Sequence, residues 1–302
     1  MVTKKDIEGM YDGQSFETVA LIKGYEVRPT KNGSKFIDGT VELKGSVQFK
    51  VWAGTLFDEM EKCDYQNTVC KVVGKANDYN GVKSIILTDA KALAEGTYDE
   101  SDFLEDKYPI DAYWEGFRKL IEKNCSSEAY EVFSKIMEDV NERFRVEFAA
   151  KGHHDAVKGG LLAHTYKETV IMTRVMKLYE DIIAKVNPDL LILGCALHDV
   201  GKVYEYTNGA ILGNGLIVSH HTFGVEILHN RKSLIVEKLG EEAYYRLLSV
   251  IEQHHGEFGE RPRSLEAYLV HQVDLLESRF QIVNEGLAKD TDVVAIDGYY
   301  LK

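Results

Sequence analysis

Residues 193–206 read LGCALHDVGKVYEY, an apolar run that closes on the adjacent pair His198-Asp199 and continues through Val200 and Gly201 to Lys202. This order sets an imidazole, a carboxylate and an ammonium at the mouth of a segment that is otherwise built to be buried. Buried imidazole and carboxylate groups cost several kcal/mol unless something compensates them, and a divalent cation is the strongest compensator available. The stretch therefore predicts a metal site, with further ligands to be found elsewhere in the chain.

The surrounding C-terminal sequence supplies candidates. All ten histidines lie after residue 150, and several fall in apolar text: His164 in GGLLAHT, His220-His221 in LIVSHHTFG and His254-His255 in IEQHHGEFG. Asp274, in VHQVDLL, adds an acid in an apolar segment, where His271 at i−3 is its nearest potential structural partner. Apolar residues recur at helical spacing over 110–123, 127–150, 160–179, 188–198, 219–239, 241–255 and 265–287. Asn187 before Pro188 reads as a helix N-cap followed by proline at the first helical position, and Gly256 reads as a helix stop. The expectation is an all-α bundle, in which ligands distant in sequence project inward from different helices. Imidazole and carboxylate without thiolate suit Mn, Fe, Mg or catalytic Zn rather than a structural zinc site. His229, well down its segment beside Asn230 and Arg231, reads as a surface residue. Lys202, taken alone, reads as a cation favoured at a helix end.

The N-terminal third has a different texture. Residues 14–23, 35–43, 46–52, 68–79 and 82–87 alternate in the manner of strands, with turn signals at Asn32-Gly33, Lys44-Gly45 and Asn80-Gly81. Residues 56–63 fit one short helix between the third and fourth strands. Five strands with a helix in that slot predict a small OB-like barrel. The acidic run 94–108, closed by Pro109, reads as a linker, so the domains are expected at 1–95 and 110–302, joined by 96–109.

Composition narrows the function classes. At 302 residues and 44% hydrophobic content the chain can hold about two domains. The net charge of −13 is uneven: residues 1–95 carry 13 Lys+Arg against 14 Asp+Glu, leaving 23 against 35 for the remainder. Such an acidic body argues against duplex binding driven by counterion release. Four cysteines without CxxC spacing read as reduced core thiols. No apolar leader and no membrane span is recognisable, so a cytoplasmic location is expected.

The order H…HD…H…HH…D, here His164, His198-Asp199, His220, His254-His255 and Asp274, resembles the HD-domain metal-dependent phosphohydrolases. The text KGHHDAVKGGLLAHT at 151–165, with LHDVGK, QHHGEFG and a preceding OB-like domain, is similar to the YhaM-type 3′-to-5′ exoribonucleases along nearly the whole chain. The resemblance implies a metal-dependent exonuclease acting on single-stranded RNA, with DNA as a second substrate, and one or two divalent ions, Mn first and Mg, Fe or Zn as alternatives. It implies that His164, His198, Asp199 and Asp274 hold the first ion, and that Asp199 bridges to a second held by His220, His254 and the adjacent His255. Asp199 and Lys202 are the implied catalytic pair, with Lys202 approaching the scissile phosphate while metal-activated water attacks phosphorus. His154 and His221 are candidate substrate contacts, as are Trp52 and Phe36, either of which could stack on a base, like Phe49 or Tyr79. Where family barrels place Asp and Thr before the second-turn glycine, this chain has Val41-Glu42-Leu43-Lys44-Gly45. No membrane partner is implied, and a homo-oligomer is compatible with the family. The rival reading keeps the HD chemistry but takes a nucleotide or cyclic dinucleotide as substrate, with the barrel regulatory or oligomerising. A single-strand binding module with a degenerate metal domain is the non-enzymatic reading.

Overall fold

A computed structural model of the chain describes every residue except 31, 80, 95, 100–102, 105–106, 151–156, 184, 208–209, 212, 289–293, 297–298 and 302. The chain divides into two compact units, Met1–Asp106 and Lys107–Lys302. His153 and His154 lie outside the described residues.

In the first unit, β1 (Ser15–Pro29), β2 (Lys35–Glu42), β3 (Ser46–Val51), β4 (Thr68–Tyr79) and β5 (Val82–Ala92) close into a barrel in the order β1-β2-β3-β5-β4. All pairings are antiparallel except β3 with β5. Helix α2 (Thr55–Lys62) fills the expected slot between β3 and β4 and turns Leu56, Phe57 and Met60 into the core. This is the OB-like barrel that the alternating segments predict. Strand β1 runs past its predicted end because it serves two neighbours. Residues 15–22 pair with β4, and a register shift between Ile22 and Gly24 passes the rest to β2. Lys44 and Gly45 both take positive φ, and the buried Glu42 carboxylate accepts from the Gly45 N–H at 2.6 Å and the Ser46 hydroxyl at 2.9 Å, so this turn forms on its own chemistry. A short α1 (Lys4–Gly9), not expected from the sequence, starts in a Thr3/Asp6 capping box and buries Ile7. Phe49 is wholly inside the barrel, which removes it as a stacking candidate.

The second unit is helical: α3 (Ile110–Asn124), α4 (Ser127–Val146), α5 (Gly160–Leu178), α6 (Glu180–Ile183), α7 (Pro188–Leu197), α8 (Lys202–Glu205), α9 (His220–Asn230), α10 (Lys232–Leu239), α11 (Glu241–Gln253) and α12 (Leu265–Ala288). Two small hairpins, β6 (Tyr206–Thr207) with β7 (Ala210–Ile211) and β8 (Val294–Ile296) with β9 (Tyr299–Leu301), are too short to leave a periodic signal. The segment expected as one helix over 219–239 is two, broken at Arg231. The apolar spacing runs through the break, which conceals it from sequence alone.

Helix α7 is the axis of this unit. Asn187 accepts from the Asp189 N–H, Pro188 occupies the first turn, and every residue from Leu190 to Leu197 is buried. A helix apolar on all sides belongs in a core, and α5, α11 and α12 pack around it. Cys70 and Cys195 are buried, but Cys63 is exposed and Cys125 only half-buried, so the expectation of four core thiols holds for two. Among the described residues no helix is long and apolar enough to cross a membrane.

Candidate metal centre

Helix α7 ends at His198, wholly buried, and the next turn delivers Asp199, equally inaccessible. Gly201 makes the rest of the site reachable. A Cβ at this position would stand 1.9 Å from the His220 carbonyl oxygen, so only glycine lets the start of α9 close on the His-Asp turn. That approach brings His220 to Asp199.

The Asp199 carboxylate faces two ways. Oδ2 lies 3.2 Å from His198 Nε2 and 3.9 Å from His164 Nε2, and accepts from Lys202 Nζ at 2.6 Å. Oδ1 lies 3.6 Å from both His220 Nε2 and His254 Nε2. Asp274, from α12, places Oδ1 3.2 Å from His164 Nε2. The structure therefore gathers His164, His198, Asp199, His220, His254 and Asp274 from five segments around one carboxylate. His255 and His221 join on the His220/His254 side, with ring centroids 5.1 and 4.3 Å from His220.

The outer nitrogens of these rings are anchored by groups that sequence reading missed. His164 Nδ1 lies 2.6 Å from Glu277, and His220 Nδ1 lies 2.6 Å from Glu205. His198 Nδ1 donates to the Cys195 carbonyl at 2.9 Å, with Glu168 Oε2 at 3.1 Å, and His254 Nδ1 donates to the Ile251 carbonyl at 2.9 Å. An imidazole that donates from Nδ1 keeps its Nε2 lone pair for a metal. Glu168 is four residues past His164 and Glu277 three past Asp274, helical spacings that offered a signal. His271, the alternative partner for Asp274, bonds elsewhere: its Nδ1 donates to the His254 carbonyl at 2.6 Å and its Nε2 lies 3.0 Å from Glu257. His229 is exposed, as expected.

Electrostatics divides the cluster. Burial would lower the His198 pKa, but the Glu168 and Asp199 carboxylates outweigh it and hold the ring near 9. Burial also raises Glu168 to about 8. For Asp199, burial works upward, yet Lys202 and His198 keep its carboxyl well below the usual range. On the other side burial dominates, driving His220 down to about 3 and His221, His254 and His255 to about 4.

Orphaned atoms test whether a cation fits. His198 Nε2, His220 Nε2, His221 Nε2, His254 Nε2 and Asp199 Oδ1 are all buried without a hydrogen-bond partner. Native proteins leave few such atoms, and these converge. Sets drawn from His164, Glu168, His198 and Asp274, from His198, Asp199 and His254, and from the four histidines 220, 221, 254 and 255 each bring one donor atom per residue within 4.8 Å of the others. The residues fit a divalent metal. A cavity of about 560 Å³ opens onto them, lined by Asp199, Lys202, Asp274, Phe258 and Arg279 among others. Lys202 is held there by Asp199 and by the Ala149 carbonyl at 2.7 Å, leaving one of its three donor protons for a ligand.

In the first unit Phe36 of β2 and Trp52, just past the end of β3, stack with centroids 5.1 Å apart, and Lys50 Nζ lies 5.6 Å from the Phe36 ring centre. Trp52 is 45% exposed and Tyr79 is 73% exposed.

The helical unit carries this His/Asp constellation, and residues 161–279 within it match the HD domain. Over nine tenths of its length the chain is similar to the 3′-5′ exoribonuclease YhaM of Listeria innocua serovar 6a, at 27% identity over 292 residues covering 91% of this chain and 88% of that protein. The 3′-5′ exoribonuclease YhaM of Oceanobacillus iheyensis is 26% identical over 297 residues, covering 92% and 88%. Among solved structures, the S. cerevisiae mitochondrial single-stranded DNA binding protein Rim1 aligns with 29% of this chain and 100% of its own at 14% identity and a TM-score of 0.26, a likeness too slight to bear on function.

Proposed function

We propose that this chain is a metal-dependent phosphodiesterase that removes nucleotides from the 3′ end of single-stranded RNA, with single-stranded DNA as the second substrate class. The observation that carries this reading is the single carboxylate of Asp199, one oxygen toward His198 and His164 and the other toward His220 and His254, with the facing Nε2 atoms of His198, His220 and His254 orphaned. His164, His198, Asp199 and Asp274 would hold one ion, and His220, His254 and His255 a second that shares Asp199. A bound divalent ion supplies Lewis acidity and makes water a nucleophile near neutral pH. Manganese is the ion favoured by the family resemblance, with Mg, Fe and Zn as alternatives.

The chain's own residues do the rest. Lys202 is fixed by two hydrogen bonds and lines the cavity, where its charge meets a phosphoryl oxygen. Arg279 lines the same cavity and adds a second cation. Phe36 and Trp52 offer stacked aromatic faces beside Lys50, a surface suited to unpaired bases. The naming of the relatives supports an exonuclease over an enzyme of cyclic dinucleotides. Four free thiols accord with the reducing cytoplasm as its compartment.

The test is incubation with 5′-labelled single-stranded RNA and DNA under Mn, Mg or chelator. The expected result is a ladder shortening from the 3′ end, abolished by chelator and by His198→Ala. Chelator-resistant shortening, or intact oligonucleotide beside rapid cleavage of cyclic dinucleotides, would overturn the proposal.

A further inference from the structure

His221, a candidate substrate contact by sequence, is left out of both ion sites proposed above, yet its surroundings are those of a ligand. We propose that His221 is a direct metal ligand, and that with His220, His254 and His255 it forms an imidazole-rich site selective for a borderline transition ion over magnesium. This rests on the metal-dependent reading above and specifies what its second position binds.

One ring nitrogen from each of the four histidines lies within 4.8 Å of the others. The His221 ring centroid stands 4.3 Å from that of His220, 4.6 Å from His255 and 5.0 Å from His254. The Nε2 atoms of His220, His221 and His254 are buried and without hydrogen-bond partners. Four imidazole nitrogens this close together, with the buried Nε2 atoms of three of the rings making no hydrogen bond, form an arrangement that folding avoids unless a cation occupies it. Two sequence pairs produce it. His220-His221 opens α9, His254-His255 follows α11, and Gly201 and Gly224 let α9 seat against the His-Asp turn and Ile251.

The donor type sets the preference. The other side of the site, at His164, His198, Asp199 and Asp274, is half carboxylate and accepts hard ions. The four-histidine side is nitrogen throughout, with Asp199 Oδ1 as the carboxylate oxygen facing it. Imidazole favours Fe, Co, Ni and Zn, while Mg takes oxygen and keeps its waters. The two positions therefore take different ions from a mixed pool.

The experiment uses full-length protein stripped with chelator and titrated separately with Co²⁺ and Mg²⁺. Bound metal per chain is read by equilibrium dialysis with elemental analysis, and the cobalt ligand field by visible absorption. The expected wild-type result is two cobalt ions but no more than one magnesium ion. His221→Ala should weaken the second cobalt at least about tenfold and change its absorption bands, leaving the first ion in place. His221→Gln, which keeps a polar side chain at this half-buried position, should do the same, whereas Asp274→Asn should weaken the other ion. Unchanged binding of both cobalt ions in both His221 variants, or magnesium filling both positions of the wild type, would overturn the assignment. Wild-type protein that binds no metal at all would instead remove the metal-dependent reading on which it rests.

Discussion

At the scale of single residues, the decisive arrangement is a carboxylate held between two groups of histidines. Asp199 stays ionised in a buried setting because Lys202 donates to it at 2.6 Å and His198 lies beside it. The inward-facing groups were legible in the sequence, since an acid and several imidazoles in apolar text have no other economical explanation. The groups behind them left only the helical spacing of Glu168 from His164 and of Glu277 from Asp274 as a signal. Glu168, Glu205 and Glu277 sit in helical segments where an acid ordinarily reads as part of a solvated face, and only the fold turns them inward. Glu205 and Glu277 hold His220 and His164 by their outer nitrogens and so orient the inner ones. Glu205→Gln and Glu277→Gln are each expected to lower divalent-metal affinity about 10- to 100-fold while leaving the fold intact, measured by calorimetric titration beside circular dichroism. Unaltered affinity in both would mean that neither glutamate positions its histidine.

At the scale of elements, α7 and the approach of α9 decide the site. The sequence marked α7 clearly, through Asn187, Pro188 and an unbroken apolar run, because capping chemistry and burial agree there. It did not mark why glycine follows Val200. That residue is a packing requirement between elements far apart in the chain, and such requirements leave no local periodic signal. The break at Arg231 escaped notice for a related reason, since apolar spacing continues from α9 into α10. Gly201→Ala forces a Cβ into the His220 carbonyl, at a separation no packed structure tolerates, so α9 must retreat from Asp199. The expected outcome is loss of activity and a destabilisation of about 1–3 kcal/mol, read as a lower urea midpoint. Full activity with unchanged stability would show that the close approach does not matter.

At the scale of the whole molecule, charge and chemistry are divided between the units. The acidic excess lies outside residues 1–95, and the near-neutral barrel carries the aromatic pair Phe36 and Trp52 beside Lys50. Barrel architecture was legible from alternation and turns, but which aromatics face outward was not. Phe49 and Trp52 both looked available until the pleat placed Phe49 inside. Stacking contributes about 1–3 kcal/mol per base, so Trp52→Ala and Phe36→Ala should each raise KM for single-stranded RNA by roughly 5- to 150-fold. Turnover of a small aryl phosphodiester, which has no base to stack, should not change. Equal losses on both substrates would place these residues in folding rather than in binding. Anomalous diffraction from crystals grown with manganese decides whether this His/Asp constellation is a metal centre. Anomalous peaks are expected within His164, His198, Asp199 and Asp274 and within Asp199, His220 and His254. Crystals saturated with manganese that show no peak beside Asp199 would contradict a metal centre there.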